Sequence, residues 1–314
     1  MNIIFFGSSQ FAVPCLKVLL AAKHKISCVV TQADKEKGRG LSLGVTAVKA
    51  AAELCNLRIY QPRQVNDGDT VSFLKGLNPD LFIVVSYGQI LSQRVLDIPG
   101  IFSINAHASL LPKYRGAAPI NRAIINGDKI TGVTIIKMTE RMDAGAIMMQ
   151  KTTKIKENDT FIILEEKLSK DAAALLIEAV NSIENNKYKL TPQDESKVTL
   201  APKLKKEDGL IDWNKPAGEI YNLIRGCVKW PGAFTYYKDK LLKVYKARIL
   251  EMPDAGYRIP AGELFRVDKD SIVVATGNGN LAIEELQVEG KRRMKVRDFI
   301  AGHKICAGEK FYKK

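Results

Sequence analysis

Two short apolar runs constrain this chain most: IIFF at residues 3–6 and LFIVV at 81–85 contain no polar residue. A strand with one wet face alternates polar and apolar side chains. A run that is apolar at every position belongs to a strand buried on both faces, as in the middle of a parallel sheet. The neighbouring segments repeat the theme. Helical periodicity over 11–22, an apolar run at 26–30, an Ala-rich helical stretch at 45–56 and a short strand at 101–104 are separated by polar turns. Strands alternating with helical patterns predict crossover connections and a Rossmann-like, mostly parallel α/β sheet. In such sheets ligands sit beyond the carboxyl ends of the strands, near a topological switch point.

A helix at 117–126, a strand at 133–138 and a long helix at 161–183 complete this half. The composition then turns polar and charged, with Pro192 and Pro202, which reads as a linker over 186–208. Beyond it the pattern gives one helix at 217–225 and strands at 234–237, 241–250, 271–276 and 281–288. Gly277-Asn278-Gly279 supplies a hairpin turn between the last two. The expectation is an α/β domain over 1–185 and a smaller, OB-like open barrel over 209–314, which a length of 314 residues accommodates.

Composition narrows the function classes. With 46% hydrophobic and 26% charged residues, the chain is neither collagenous nor disordered. No stretch approaches the roughly 18 apolar residues of a membrane span. No basic region precedes the first strand as in a signal peptide. A cytoplasmic monomer without membrane contact is expected. The five cysteines form no C-x-x-C pair and the three histidines are scattered, so free thiols and no metal are expected. Residues 1–196 carry 24 basic and 19 acidic side chains, and 197–314 carry 24 and 15, an excess of +5 against +9. Such an excess fits a polyanionic partner as well as it fits a merely solvated basic surface.

The turn after the first strand, Gly7-Ser8-Ser9-Gln10-Phe11, lacks the G-x-G-x-x-G dinucleotide fingerprint. Asn105 and His107, just past the strand at 101–104, lie two residues apart and share one face if the backbone is extended. An amide donor beside an imidazole suits a carbonyl reaction, although a buried, hydrogen-bonded histidine is the commoner reason for such a pattern. Asp143 in Met142-Asp143-Ala144-Gly145 adds a carboxylate in a turn, a place where Asp is often structural.

Taken together, Asn105-x-His107, Ser109-Leu110-Leu111-Pro112, Tyr114-Arg115-Gly116 and Asp143 after Thr131-Gly132-Val133-Thr134 resemble the 10-formyltetrahydrofolate-dependent formyltransferases. Leu200-Ala201-Pro202-Lys203-Leu204, Ile211-Asp212-Trp213, Trp230-Pro231-Gly232-Ala233 and Gly290-Lys291-Arg292-Arg293-Met294 resemble the second domain of the branch that formylates charged initiator tRNA. The resemblance implies transfer of a formyl group from 10-formyltetrahydrofolate, a cosubstrate, to the α-amine of methionyl-initiator-tRNA. It implies that Asn105 donates to the oxyanion and that His107 bonds the same oxygen or relays a proton. It implies that Asp143 orients His107 and accepts the amine proton. It also places Ser109, Leu110, Leu111 and Pro112 along the folate. Tyr87, Gly88 and Ile90 are then either a pterin pocket or a strand-end turn with core contacts.

The tRNA grip falls on Arg39, on Lys203, Lys205 and Lys206, and on Arg292 and Arg293. Lys113, Tyr114 and Arg115 are either acceptor-end contacts or a solvated turn. Sequence departures from the family pattern include Ala108 where Gly is usual, which a fold tolerates unless the backbone needs positive φ. Two rival readings are a sugar-nucleotide formyltransferase and a non-catalytic RNA-binding protein on an enzyme scaffold.

Overall fold

The computed structural model describes residues 1–22, 24–37, 42–250 and 259–313. They divide into two units. The first comprises Met1–Pro119, Ile130–Lys154 and Glu165–Pro202; the second comprises Ile120–Lys129, Ile155–Leu164 and Lys203–Lys314.

The first unit is built on seven strands: β1 (Asn2–Gly7), β2 (Lys25–Val30), β3 (Ile59–Tyr60), β4 (Leu81–Val85), β5 (Phe102–His107), β6 (Ile130–Lys137) and β7 (Ile147–Lys154). Their order is β3-β2-β1-β4-β5-β6-β7. The pairs from β3 to β5 are parallel, and β5-β6 and β6-β7 are antiparallel. The two apolar runs lie side by side at the centre, with Ile3 opposite Leu81 and Phe6 opposite Val84. Every residue of β4 is buried. Phe6 packs on Phe82 at 4.9 Å and on Tyr87 at 5.5 Å between ring centroids. The chain leaves β1 toward β2 on one side and meets β4 on the other. The switch point therefore lies between β1 and β4.

Strand β5 runs further than its apolar letters predict. Antiparallel pairing with β6, Asn105 opposite Ile136 and His107 opposite Thr134, keeps residues 105–107 in the ladder despite the two polar side chains. Asn105 and His107 are thus strand residues on one face, not residues past the strand end.

The expected linker is not free chain at its start. Thr191 pairs with Ile147, and residues 199–201 run beside 114–118 through Arg115 N–Thr199 O at 2.9 Å, Ala201 N–Arg115 O at 2.7 Å and Ala118 N–Ala201 O at 3.0 Å. These backbone bonds place 186–202 with the first unit.

The second unit carries β8 (Ala233–Tyr237), β9 (Lys240–Leu250), β10 (Leu264–Val267), β11 (Ile272–Ala275), β12 (Asn280–Val288) and β13 (Met294–Lys295). They form an antiparallel sheet ordered β8-β9-β12-β11-β10, with β13 on β12. The turn over 276–279 closes with Thr276 N donating to Gly279 O at 3.1 Å. Trp213, Ile220, Ile224, Leu264, Ile283 and Phe299 fill its core. All five cysteines are free. Among the described residues no helix is long and apolar enough to cross a membrane.

Candidate active site

Asn105, His107 and Asp143 meet in the first unit. Asn105 Nδ2 donates to Asp143 Oδ1 at 3.2 Å. His107 Nδ1 lies 3.5 Å from Asp143 Oδ2, an ion-pair distance too long for a strong hydrogen bond. The His107 side chain is 6% exposed and the Asp143 carboxylate 12%. His107 Nε2 is 2.9 Å from the Tyr114 carbonyl. A carbonyl only accepts, so Nε2 carries a proton. Both ring nitrogens therefore face protein acceptors. The imidazole is thus held from both ends, by the Tyr114 carbonyl on one side and beside the Asp143 carboxylate on the other.

The segments on either side of Asp143 are built to hold it. Gly116 N donates to Asp143 Oδ2 at 2.9 Å. Gly116 has φ +125°, and a Cβ there would stand 2.6 Å from the Ala201 carbonyl oxygen. Only glycine lets that amide reach the carboxylate. Asp143 itself takes φ +51° and Tyr114 φ +64°, left-handed conformations that non-glycine residues keep only where their surroundings over-determine them. The carboxylate accepts on both oxygens, yet Oδ1 takes only the Asn105 bond among the described contacts and retains a lone-pair direction.

The Ser-Leu-Leu-Pro stretch is pinned from β6 and β7. Thr134 Oγ1 donates to Ser109 O at 2.7 Å and accepts from Leu111 N at 3.1 Å; Gln150 Nε2 donates to Leu111 O at 2.8 Å. Ser109 and Leu111 are buried, with Ser109 Oγ donating to Lys113 O at 2.6 Å. Leu110 and Pro112 stay half-buried. Ala108 is absent from the residues with positive φ, so its methyl group meets no backbone objection.

Beyond β4, the Tyr87 ring is a core side chain, 2% exposed against Phe6. Its burial raises its pKa well above the ordinary phenol value. What this turn offers a ligand is Gly88, with φ +90°, and Ile90, 62% exposed.

Arg115 is neither a tRNA-facing side chain nor a solvated turn. It is 6% exposed, and its guanidinium donates to Gln193 Oε1 at 2.8 and 3.0 Å and to Glu195 at 2.8 and 3.3 Å. The sequence reading missed Gln193 and Glu195 because they lie about eighty residues from Arg115, inside a segment that reads as linker.

The basic residues separate into kinds. Lys203, Lys205 and Lys206 are exposed in the second unit and hold no ion pair among the described residues. The same is true of Lys291 and Arg292. Arg293 differs: its Nε donates to Glu285 at 2.8 Å, and its guanidinium stacks over Tyr245 at 4.6 Å. Arg39 lies outside the described residues.

Comparison with known proteins bears on this arrangement. Residues 1–180 match the family model described as formyl transferase, and 203–304 match the formyl transferase C-terminal domain. A methionyl-tRNA formyltransferase from Thermodesulfovibrio yellowstonii is 45% identical over 308 residues, covering 98% of this chain and 97% of that protein. One from Alkaliphilus oremlandii is 43% identical over 308 residues and covers 98% of each.

Among solved structures, WlaRD, described as a sugar 3N-formyl transferase in the presence of dTDP and 5-N-formyl-THF, shares the fold. Its TM-score is 0.66 at 21% identity, over 93% of this chain and 99% of that one. HypX from Aquifex aeolicus in complex with tetrahydrofolic acid gives a TM-score of 0.62 at 19% identity, over 96% of this chain and 47% of that one. The structural likenesses attest the fold, and the full-length sequence identity attests more: the chain belongs to the methionyl-tRNA formyltransferase family.

Proposed function

We propose that this protein transfers the formyl group of 10-formyltetrahydrofolate to the α-amine of methionyl-initiator-tRNA. The observation that carries the reading is the meeting of Asn105, His107 and Asp143 at the end of β5 in a chain this similar to methionyl-tRNA formyltransferases.

The chemistry asks little of the nucleophile. An α-amine titrates near 8 in peptides, and an esterified carboxyl lowers that further, so much of it is neutral at pH 7. The amine nitrogen bonds to the formyl carbon and the carbonyl becomes an oxyanion. One N–H of Asn105 is spent on Asp143; the second is left to donate to that oxyanion. The open side of Asp143 Oδ1 takes the proton that the amine sheds. Collapse breaks the bond from carbon to N10 of the folate, which leaves as an amine after protonation through water. His107, held by the Tyr114 carbonyl, stands beside the carboxylate and fixes the direction it faces.

Ser109 to Pro112, with Gly88 and Ile90, form the folate side. Lys203, Lys205, Lys206 and Arg292 supply the field for the tRNA, with Arg293 partly neutralised by Glu285 and Arg39 completing the set.

The test is a formyl-transfer assay with 10-formyltetrahydrofolate and, in separate reactions, methionyl-initiator-tRNA, uncharged tRNA and a UDP-amino sugar. Formylmethionyl-tRNA is the expected product. Formylation of the sugar with none of the tRNA would move the acceptor to the sugar branch.

A further inference from the structure

Gln193 makes four hydrogen bonds with one amide. Its Nε2 donates to the carbonyl oxygens of Asp143 at 2.7 Å and Gly145 at 2.8 Å. Its Oε1 accepts from Arg115 Nε at 3.0 Å and Nη2 at 2.8 Å. This is the full capacity of a primary amide, two N–H and two lone pairs. Its orientation is forced, since carbonyls only accept and a guanidinium only donates.

The two carbonyls bracket the turn in which Asp143 is left-handed, at φ +51°. The other end of the amide grips the buried side chain of Arg115. That residue lies between Tyr114, whose carbonyl holds His107, and Gly116, whose amide holds Asp143. Glu195 closes the remaining face of the guanidinium at 2.8 Å. One side chain from the polar stretch after the long helix therefore ties together the two segments that hold the reactive carboxylate.

We infer that Gln193 is the positioning residue of Asp143. It sets the Asp143 turn through two backbone carbonyls, and Arg115, braced by Glu195, fixes its rotamer. A displacement of about 1 Å in a reacting group is enough to cost roughly a hundredfold in rate. The role needs a donor at one end and an acceptor at the other. Gln193→Glu preserves the shape and strengthens the pairing with Arg115, but the ionised side chain has no N–H for the two carbonyls. Gln193→Leu removes both ends. The inference rests on the reading of Asp143 as a catalytic group, so Asp143→Asn belongs in the same experiment.

The measurement is kcat and KM for methionyl-tRNA and for the formyl donor, beside thermal unfolding, for Gln193→Glu, Gln193→Leu and Asp143→Asn. The expected result is a fall in kcat of roughly 10- to 100-fold for both Gln193 variants. KM values are expected to stay within about twofold, the signature of an interaction made in the transition state alone. Gln193→Glu should be no better than Gln193→Leu, and it carries the comparison alone if the leucine variant does not fold. A kcat for Gln193→Glu within about twofold of wild type, with Asp143→Asn inactive, would overturn the inference and leave the catalytic reading intact. So would a loss of thermal stability with kcat retained, because that is what a purely structural brace would give. Full activity in Asp143→Asn would overturn the reading of Asp143 and this inference with it.

Discussion

Asp143 and Arg292 are held in opposite ways. The Asp143 carboxylate is nearly buried, meets Asn105, His107 and the Gly116 amide, and its own carbonyl is gripped by Gln193. Arg292 is exposed, and no described residue pairs with it. Lys203, Lys205, Lys206 and Lys291 share that freedom. A group that must meet a developing charge within tenths of an ångström needs its position fixed in advance. A group that attracts a polyanion acts through a field, and an ion pair would only cancel it. The first unit should therefore be brittle where it does chemistry, and the basic surface of the second divisible.

The largest effect should come from the carboxylate. Under the proposed mechanism, Asp143→Asn keeps the shape but removes the group that takes the amine proton, and Asn105→Ala removes the N–H that meets the oxyanion. Each is expected to lower single-turnover formyl transfer roughly 100- to 1000-fold, with tRNA affinity close to wild type. A rate within tenfold of wild type for both would break the contrast, because the buried set would then be as expendable as a surface lysine.

Gly116→Ala tests the same brittleness with a single methyl group. A Cβ 2.6 Å from the Ala201 carbonyl and a backbone at φ +125° leave the loop no unstrained solution. The Gly116 amide must then withdraw from Asp143. Transfer is expected to fall roughly 10- to 100-fold, and the thermal midpoint to fall with it. Unchanged kinetics would show that the carboxylate does not need this donor.

The second unit should respond by degrees. Replacing Lys203, Lys205 and Lys206 together by Ala is expected to weaken tRNA binding about tenfold at moderate salt. The slope of log K against log salt should become shallower by roughly 2, since each lost phosphate contact removes about 0.7 to 0.9. Affinity for the formyl donor should not move. Arg292→Ala should cost more than Arg293→Ala, because Glu285 already neutralises Arg293. An unaltered salt slope across the triple variant would remove this cluster from the tRNA surface, and the reverse order for the arginines would show that ion pairing does not decide which of them binds.

The contrast also explains what the sequence disclosed. Apolar runs such as LFIVV at 81–85 announced the central parallel strands, because burial on both faces leaves no other pattern. Asn105 and His107 were legible as a pair two residues apart. The backbone that holds them was not. The extension of β5 through His107 depends on pairing with β6, a strand twenty-odd residues later. For Tyr87 the sequence left a pterin pocket and a turn with core contacts equally open, and its ring lies in the core, packed against Phe6. Gln193 lay hidden for a different reason. Its four bonds reach 48 to 78 residues along the chain, and nothing in its neighbours marks a polar segment as docked. Residue types that react can be read locally; the groups that aim them are supplied by the fold.

The smallest effect comes from a carboxylate that has several partners but is only partly buried, 30% exposed against 12% for Asp143. Glu309 accepts from Tyr237 Oη at 2.6 Å and from Cys306 N at 3.0 Å, and it pairs with Lys238 at 2.8 Å. The Lys238 bond, followed by that from Tyr237, pulls its carboxyl from an ordinary 4.5 down to about 2. A depressed folded pKa means that the stabilisation is complete above the unfolded value and disappears as pH falls through the folded one. Glu309→Gln should therefore lower the thermal midpoint at pH 7 by about 1–3 °C, the scale of an exposed ion pair in a protein of this size. The gap between variant and wild type should begin to narrow below pH 4.5 and close near pH 2. Formyl transfer at pH 7 should be unaffected. If the gap instead stays constant down to pH 3, the contribution of Glu309 is its shape and its neutral hydrogen bonds, not its charge. The number of partners around a carboxylate would then say little about what its ionisation does, and burial, as at Asp143, would be the feature that separates the two.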